Sequence, residues 1–308
     1  FYRRPYQFHF SKVSDMSEIL VDSELKHEAS ADSAAAPFHL TDDDIKTLME
    51  AVHAQDADTV HASLDDLSPA DIAELLAKIS AEDRQELLSM YGEWMSPLVF
   101  AEMDPELARI TLSAMPVTQV ARLIAELESD DALGLIIHLD EDLQHQIIRK
   151  LSAKMRVAVQ EGLNFPEESA GRLMQREFVA VPQFWTVGKT VDYLREAADD
   201  LPEDFFDIFV ISPAYQVEGQ IPLNRLVRAR RSDKIEILTD EKPQTIPADM
   251  DQEEVAHIFR RDNIASAPVV DTNGRLIGVI TIDDVVDVID EEAQEDILRL
   301  AGVDDGDL

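Results

Sequence analysis

The residues that could do chemistry in this chain are its carboxylates. From Asp283 to Leu308 eleven residues are acidic and one, Arg299, is basic. On a helix, Asp284, Asp287, Glu291 or Glu292, and Glu295 recur every three to four residues and share one face. Like charges at that spacing cost an exposed helix about 0.3 kcal/mol per pair, a penalty that a divalent cation lying along the stripe removes. Magnesium keeps most of its water and takes octahedral oxygen ligands, so sparse sites of one or two carboxylates suit it. Calcium fits less well, because no DxDxDG loop closed by a bidentate Glu is present. The bland alternative is a solvated acidic helix face.

Other chemistries find little support. The chain of 308 residues has no cysteine, which removes disulfides, thiolate zinc, iron-sulfur clusters and thiol nucleophiles. It has no nucleophile elbow, P-loop or HExxH, and its ten glycines form no phosphate cradle, so an enzyme is not expected. With 27 Lys plus Arg against 63 Asp plus Glu, the net charge of -36 repels nucleic acid and anionic lipid alike. His138 and His145 have no partner at ligand spacing and read as structural or surface residues. The longest uncharged run, Ile110 to Ala121, is too short to span a bilayer, so the chain as given is expected to be soluble. Residues 1–40 read as a disordered or tag-derived lead-in without the apolar core of a signal peptide.

Two kinds of element must position the acids. Residues 41–163 carry a repeat of period twelve, with blocks starting at Ala70, Glu82, Trp94, Glu106, Thr118, Asp130 and Asp142. Each block ends in a mostly apolar pair, from Leu75/Leu76 to Ile147/Ile148, with another apolar residue three further on. That is one face of a short helix, and Pro69, Pro97, Pro105 and Pro116 at first helical positions separate the units. A helix this short cannot bury its stripe alone, so the units stack into a superhelical solenoid.

After Phe165 to Gly171 the pattern changes. Phe178–Val181 and Phe209–Ile211 read as buried strands flanking a helix at Val187–Ala198. The order recurs with a strand at Thr245–Ala248, a helix at Gln252–Arg261, a strand at Pro268–Asp271, a turn at Thr272–Gly274, a strand at Arg275–Thr281 and a helix from Asp283. Leu201–Asp204 looks like an insertion in the first copy.

The stretch Ala267–Val286, APVVDTNGRLIGVITIDDVV, resembles a CBS domain. Together with the helical repeat, the joint Glu167–Met174 and the acidic tail, it makes residues from about Thr41 to Val303 similar to the cytoplasmic half of the MgtE family of magnesium transporters. The resemblance implies an α + α/β chain, a short-helix superhelical solenoid followed by a tandem CBS-domain pair and a connecting helix. It divides the chain into an N domain at 41–163, CBS domains at 172–232 and 233–289, and a connecting helix at 290–308 that leads toward a membrane domain absent here. It implies magnesium ions bridging these parts, at the positions Asp130, the Gly171 carbonyl, Glu253, Asp284, Asp287, Glu292, Glu295 and Asp296. The chain departs from the family pattern at Gly134 and Asn263, where acids are usual. The resemblance also implies ATP or another adenine nucleotide in a CBS cleft, at Thr281 and Asp284, while Pro222 and Arg225 take those places in the first copy. Asp284 is thus claimed by both a metal and a ribose. A homodimer through the CBS domains, with the connecting helices side by side, is expected, at the cytoplasmic face of the membrane as part of the full-length protein. The rival reading is a nucleotide-binding CBS module acting on a partner protein.

Overall fold

The computed structural model describes residues 40–202, 204–239 and 243–301, and for residues 199, 294–296 and 298–301 the backbone alone. The expected lead-in up to residue 39 and the tail 302–308 lie outside the described residues.

Short helices fill the first part, as the repeat predicts. They are α1 Asp42–His53, α2 Ala57–Leu64, α3 Pro69–Lys78, α4 Ala81–Tyr91, α5 Leu98–Ala101, α6 Pro105–Ser113, α7 Val117–Ala125, α8 Ser129–Ile137, α9 Glu141–Ile148 and α10 Ala153–Gly162. Thr41, Ser68, Ser80 and Ser152 start their helices by accepting the N–H three residues on. Every predicted apolar pair is buried, from Leu75 and Leu76 to Ile147 and Ile148. Of the apolar residues three beyond them, Met115 is half-buried and the rest are buried. Two details differ from the sequence reading. Pro69 and Pro105 occupy first helical positions, whereas Pro97 and Pro116 stand one place earlier, as N-caps. Proline fits there equally well, because an N-cap N–H has no intrahelical acceptor. The block at Trp94 yields only the four residues of α5, because the Trp94 and Met95 N–H groups turn back to the Tyr91 carbonyl.

A joint helix α11, Ala170–Leu173, leads to two α/β modules in the same compact unit. The first holds β1 Ala180–Pro182, α12 Val187–Glu196, β2 Asp207–Ile211, β3 Val217–Pro222, α13 Leu223–Arg228 and α14 Ile235–Leu238. The second holds β4 Ile246–Pro247, α15 Gln252–Asp262, β5 Ser266–Val270, β6 Leu276–Thr281 and α16 Ile282–Ala301. Each sheet has three strands, ordered β1-β2-β3 and β4-β5-β6, the first pair parallel and the second antiparallel. Both registers match, Asp207 facing Pro222 as Ser266 faces Thr281, and both sheets slip at the same place, after Val210 and after Val269. Phe209, Val217, Val270, Leu276 and Val279 form a shared core where the sheets meet.

The joint belongs to the second module although it precedes the first. Ala170 and Gly171 donate to the Met250 and Ala248 carbonyls, Gln175 bridges Val279, and Ala170 and Met174 sit in the core with Phe259. Gly171 is required there, since a Cβ would lie 2.4 Å from the Phe165 ring. Helix α16 runs unbroken through Asp290, so the second module and the expected connecting helix share one helix. Among the described residues no helix is long and apolar enough to cross a membrane.

Candidate cation site between the helices and the second module

Two helix starts and one helix end bring acids face to face. Glu128 is the N-cap of α8, and Asp130 and Asp131 lie in its first turn, where the helix dipole favours negative charge. Asp283 and Asp284 open α16, and Glu102 is the C-cap of α5. The two parts are fastened together beside them. The buried Ser129 donates its N–H and hydroxyl to one Glu177 oxygen at 3.2 and 2.7 Å, and the Arg176 N–H donates to the Ser129 hydroxyl at 2.7 Å. Glu177 thereby supplies from another segment the cap that α8 lacks locally. The Arg176 guanidinium reaches Glu161 of α10 at 3.1 Å.

Between them opens a cleft of about 740 Å³, with Asp130, Asp131, Asp284 and Glu291 among its walls and Met103 and Leu133 among its apolar lining. The acids around it hold protons more tightly than ordinary carboxylates. Burial, then the charges of Asp284 and Asp131, push Asp130 well above the usual range. Burial, then Glu102, Asp283 and Asp287, push Asp131 up to about 6. Glu128 is pushed up to about 7 by burial and then Glu177 and Asp131. Asp284 is raised to about 6 by burial, against the opposing pull of Thr281, whose N–H and hydroxyl both donate to it. Burial also raises Asp287 and Glu102, helped in Asp287 by Asp283 and in Glu102 by Asp287. Among the described residues none of Glu102, Glu128, Asp130, Asp131, Asp284 and Asp287 is ion-paired with a lysine or arginine. Nor do three His, Asp or Glu side chains converge into a ready metal cage.

The structure thus brings Asp130, Asp284 and Asp287 of the predicted set into one electrostatic neighbourhood. Glu253 is exposed at the start of α15 and does not line the cleft, though its neighbour Gln252 does. Gly171 is buried at the joint, flanked by Arg172, which lines the cleft. Glu292 lies further along α16, half-buried. The side chains of Glu295 and Asp296 lie outside the described residues. Gly134 borders the cleft with open space where its Cβ would stand, and Asn263 serves as the left-handed C-cap of α15, at φ 51, a place asparagine tolerates. Sequence reading missed Glu102, Glu128, Asp131 and Asp283. Three of them flank chosen residues in acidic runs, a signal that was there to use; Glu102 carries none.

The expected nucleotide residues stay joined, the Thr281 hydroxyl donating to Asp284 at 2.7 Å, yet they border different spaces. Thr281 lines a narrow crevice between the modules with Gln175, Asp204, Asp207 and Ser266, whereas Asp284 lines the acidic cleft. The crevice has about 20 Å³ of free space, room for about one water. An adenine nucleotide needs several hundred, more than this crevice holds as it stands.

A short-helix solenoid docked on paired α/β modules is the architecture of a tandem CBS protein with a helical N domain. The family model of the MgtE intracellular N domain matches residues 67–168, and that of the CBS domain residues 235–291. The chain belongs to the MgtE family. The magnesium transporter MgtE of Thermus thermophilus is 31% identical over 265 residues, which are 85% of this chain and 59% of that protein. Its Bacillus subtilis counterpart is 29% identical over 238 residues, 77% of this chain and 52% of that protein. The chain therefore spans between half and three fifths of these curated relatives. A solved cytosolic domain of the Mg2+ channel MgtE in complex with ATP is 28% identical with a TM-score of 0.74, the match covering 79% of this chain and 99% of that one.

Proposed function

We propose that this chain is the magnesium-sensing, cytoplasmic regulatory region of a magnesium transporter, binding rather than catalysing. What supports the reading is the set of desolvated carboxylates that the helical part and the second module turn toward each other, Glu128, Asp130, Asp131 and Asp284, none of them ion-paired with a lysine or arginine among the described residues. Closing the two parts costs repulsion that bound Mg2+ offsets, so the ion shifts the population toward the closed arrangement by its differential affinity. Asp130, Asp131, Asp284 and Asp287 would hold it, mostly through retained water, since among the described residues no three carboxylates converge. Glu292, Glu295 and Asp296 would extend the stripe along α16, and Glu253 and the Gly171 carbonyl would serve a neighbouring ion. Closure repositions α16 and shuts the pore of the full-length protein at the inner face of the membrane. A homodimer through the CBS modules places two such helices under one pore.

Melting and limited proteolysis with Mg2+, Ca2+ and EDTA test this. Millimolar Mg2+ is expected to raise the melting temperature and protect the joint near residues 163–169, and Asp130→Asn with Asp284→Asn to abolish most of the shift. A melting curve and cleavage pattern indifferent to Mg2+ would refute the sensor. ATP bound to a similar structure supports a second, nucleotide-responsive reading, in which stabilisation by ATP needs no magnesium.

A further inference from the structure

One short run of backbone connects the two walls of the acidic cleft. Residues 174–177, which follow the joint helix α11, touch the second module on one side and the helical part on the other. On the module side Gln175 exchanges both of its backbone hydrogen bonds with Val279 of β6, at 2.9 and 3.0 Å. Gly278 permits that approach, since a Cβ there would lie 2.9 Å from the Gln175 carbonyl oxygen. Two residues beyond Val279 stands Thr281, whose N–H and hydroxyl hold the Asp284 carboxylate at 3.2 and 2.7 Å. On the helical side one oxygen of Glu177 gathers the Ser129 N–H, the Ser129 hydroxyl and the Arg176 N–H, the last at 3.1 Å. Ser129 immediately precedes Asp130. The buried Gln175 side chain donates to the Glu177 carbonyl at 3.0 Å and stiffens the run between the two contacts.

We infer that Glu177 is a positioning residue of the proposed cation cleft: it ligates no ion, and by capping α8 from the run after the joint it sets the distance at which Asp130 and Asp131 face Asp284. The inference rests on the cation reading. An ion shared between carboxylates of two parts is bound only as well as their separation is fixed, and removing an outer group that orients metal ligands typically costs about 10–100-fold in affinity. Capping needs an oxygen that accepts hydrogen bonds, which a glutamine amide also offers, whereas attracting or ligating the ion would need the charge.

Calorimetric titration of Mg2+ into the whole chain, Glu177→Ala and Glu177→Gln tests it, with melting curves recorded alongside. Glu177→Ala is expected to bind Mg2+ about tenfold or more weakly, and Glu177→Gln to keep an affinity close to that of the parent chain. A melting temperature that falls in Glu177→Ala while Mg2+ affinity holds would make the cap purely structural and overturn the inference. A Glu177→Gln variant as weak as Glu177→Ala would assign the effect to charge and overturn it too. A parent chain that takes up no Mg2+ removes the cation reading and this inference together, whereas equal binding by the parent and Glu177→Ala removes this inference alone. Should Glu177→Ala not fold, Glu177→Asp, which keeps the charge and shortens the reach, replaces it with the same expected loss, and binding at the parent affinity overturns the inference.

Discussion

Ser266 donates its hydroxyl to Asp207 at 2.6 Å, and these two buried residues, 59 apart, hold the same place in the two modules. Gln216 and Arg275 stand at the same offset and pair as an isolated bridge. Contacts between equivalent positions lie on the pseudo-twofold axis that relates the modules. Identity at such a point would set two carboxylates against each other. Divergence to a donor and an acceptor turns the same contact into a charge-assisted hydrogen bond.

Ser266→Ala leaves the Asp207 carboxylate buried without that donor. The expected cost is about 1–3 kcal/mol in chemical denaturation. An unchanged midpoint would mean that the axis contact contributes nothing to stability.

The acidic cleft makes stability depend on pH. Asp131 and Asp284 at about 6 and Glu128 at about 7 keep protons in the folded chain that the unfolded chain releases near the ordinary carboxylate value. Raised values mean stability that is full below about pH 4 and lost as pH climbs through about 7. For these groups, divalent-free melting temperatures should therefore decline across that window. On the proposed reading protons and Mg2+ compete for the same oxygens, so the Mg2+-induced shift should be larger at pH 8 than at pH 5. Two equal shifts would place the ion elsewhere.

Ser129 joins the helical part to the modules through its hydroxyl. Ser129→Ala removes the bonds to Glu177 and from the Arg176 N–H. A loss of about 1–2 kcal/mol and faster proteolysis near residues 163–169 are expected. Cleavage no faster than in the parent chain would assign the docking to apolar packing alone.

Thr111 occupies an apolar-pair position of the repeat, and its buried hydroxyl finds no partner among the described residues. Thr111→Val keeps the shape and removes the unpaired oxygen. It should raise stability by about 1 kcal/mol, measured as a higher denaturation midpoint.

Much of the architecture was legible because it is written at short range. A period of twelve with prolines at the seams specifies stacked short helices, and Leu75/Leu76 or Ile147/Ile148 reach the core as their spacing requires. The recurring strand, turn and helix gave the paired modules, with Gly274 at φ 74 in the predicted turn. The site was legible only in part. Asp284 and Asp287 stand out in a run of acids, but Glu102 comes into play through the docking of two parts, and a local pattern says nothing of how they dock. The same holds for the joint at Ala170–Gly171, which passes over its sequence neighbour to complete the second module. The extra residues before β2 were visible as an insertion.

Helix α16 is 20 residues long, about 30 Å of continuous rod, and its first turn is built into the acidic cleft. It has the proportions of a lever arm with its fulcrum among carboxylates. A tilt of about 10° at that foot carries the far end through about 5 Å. On the proposed reading, small changes in how Asp284 and Asp287 are neutralised would become displacements the size of a side chain at a distance where no ion needs to be.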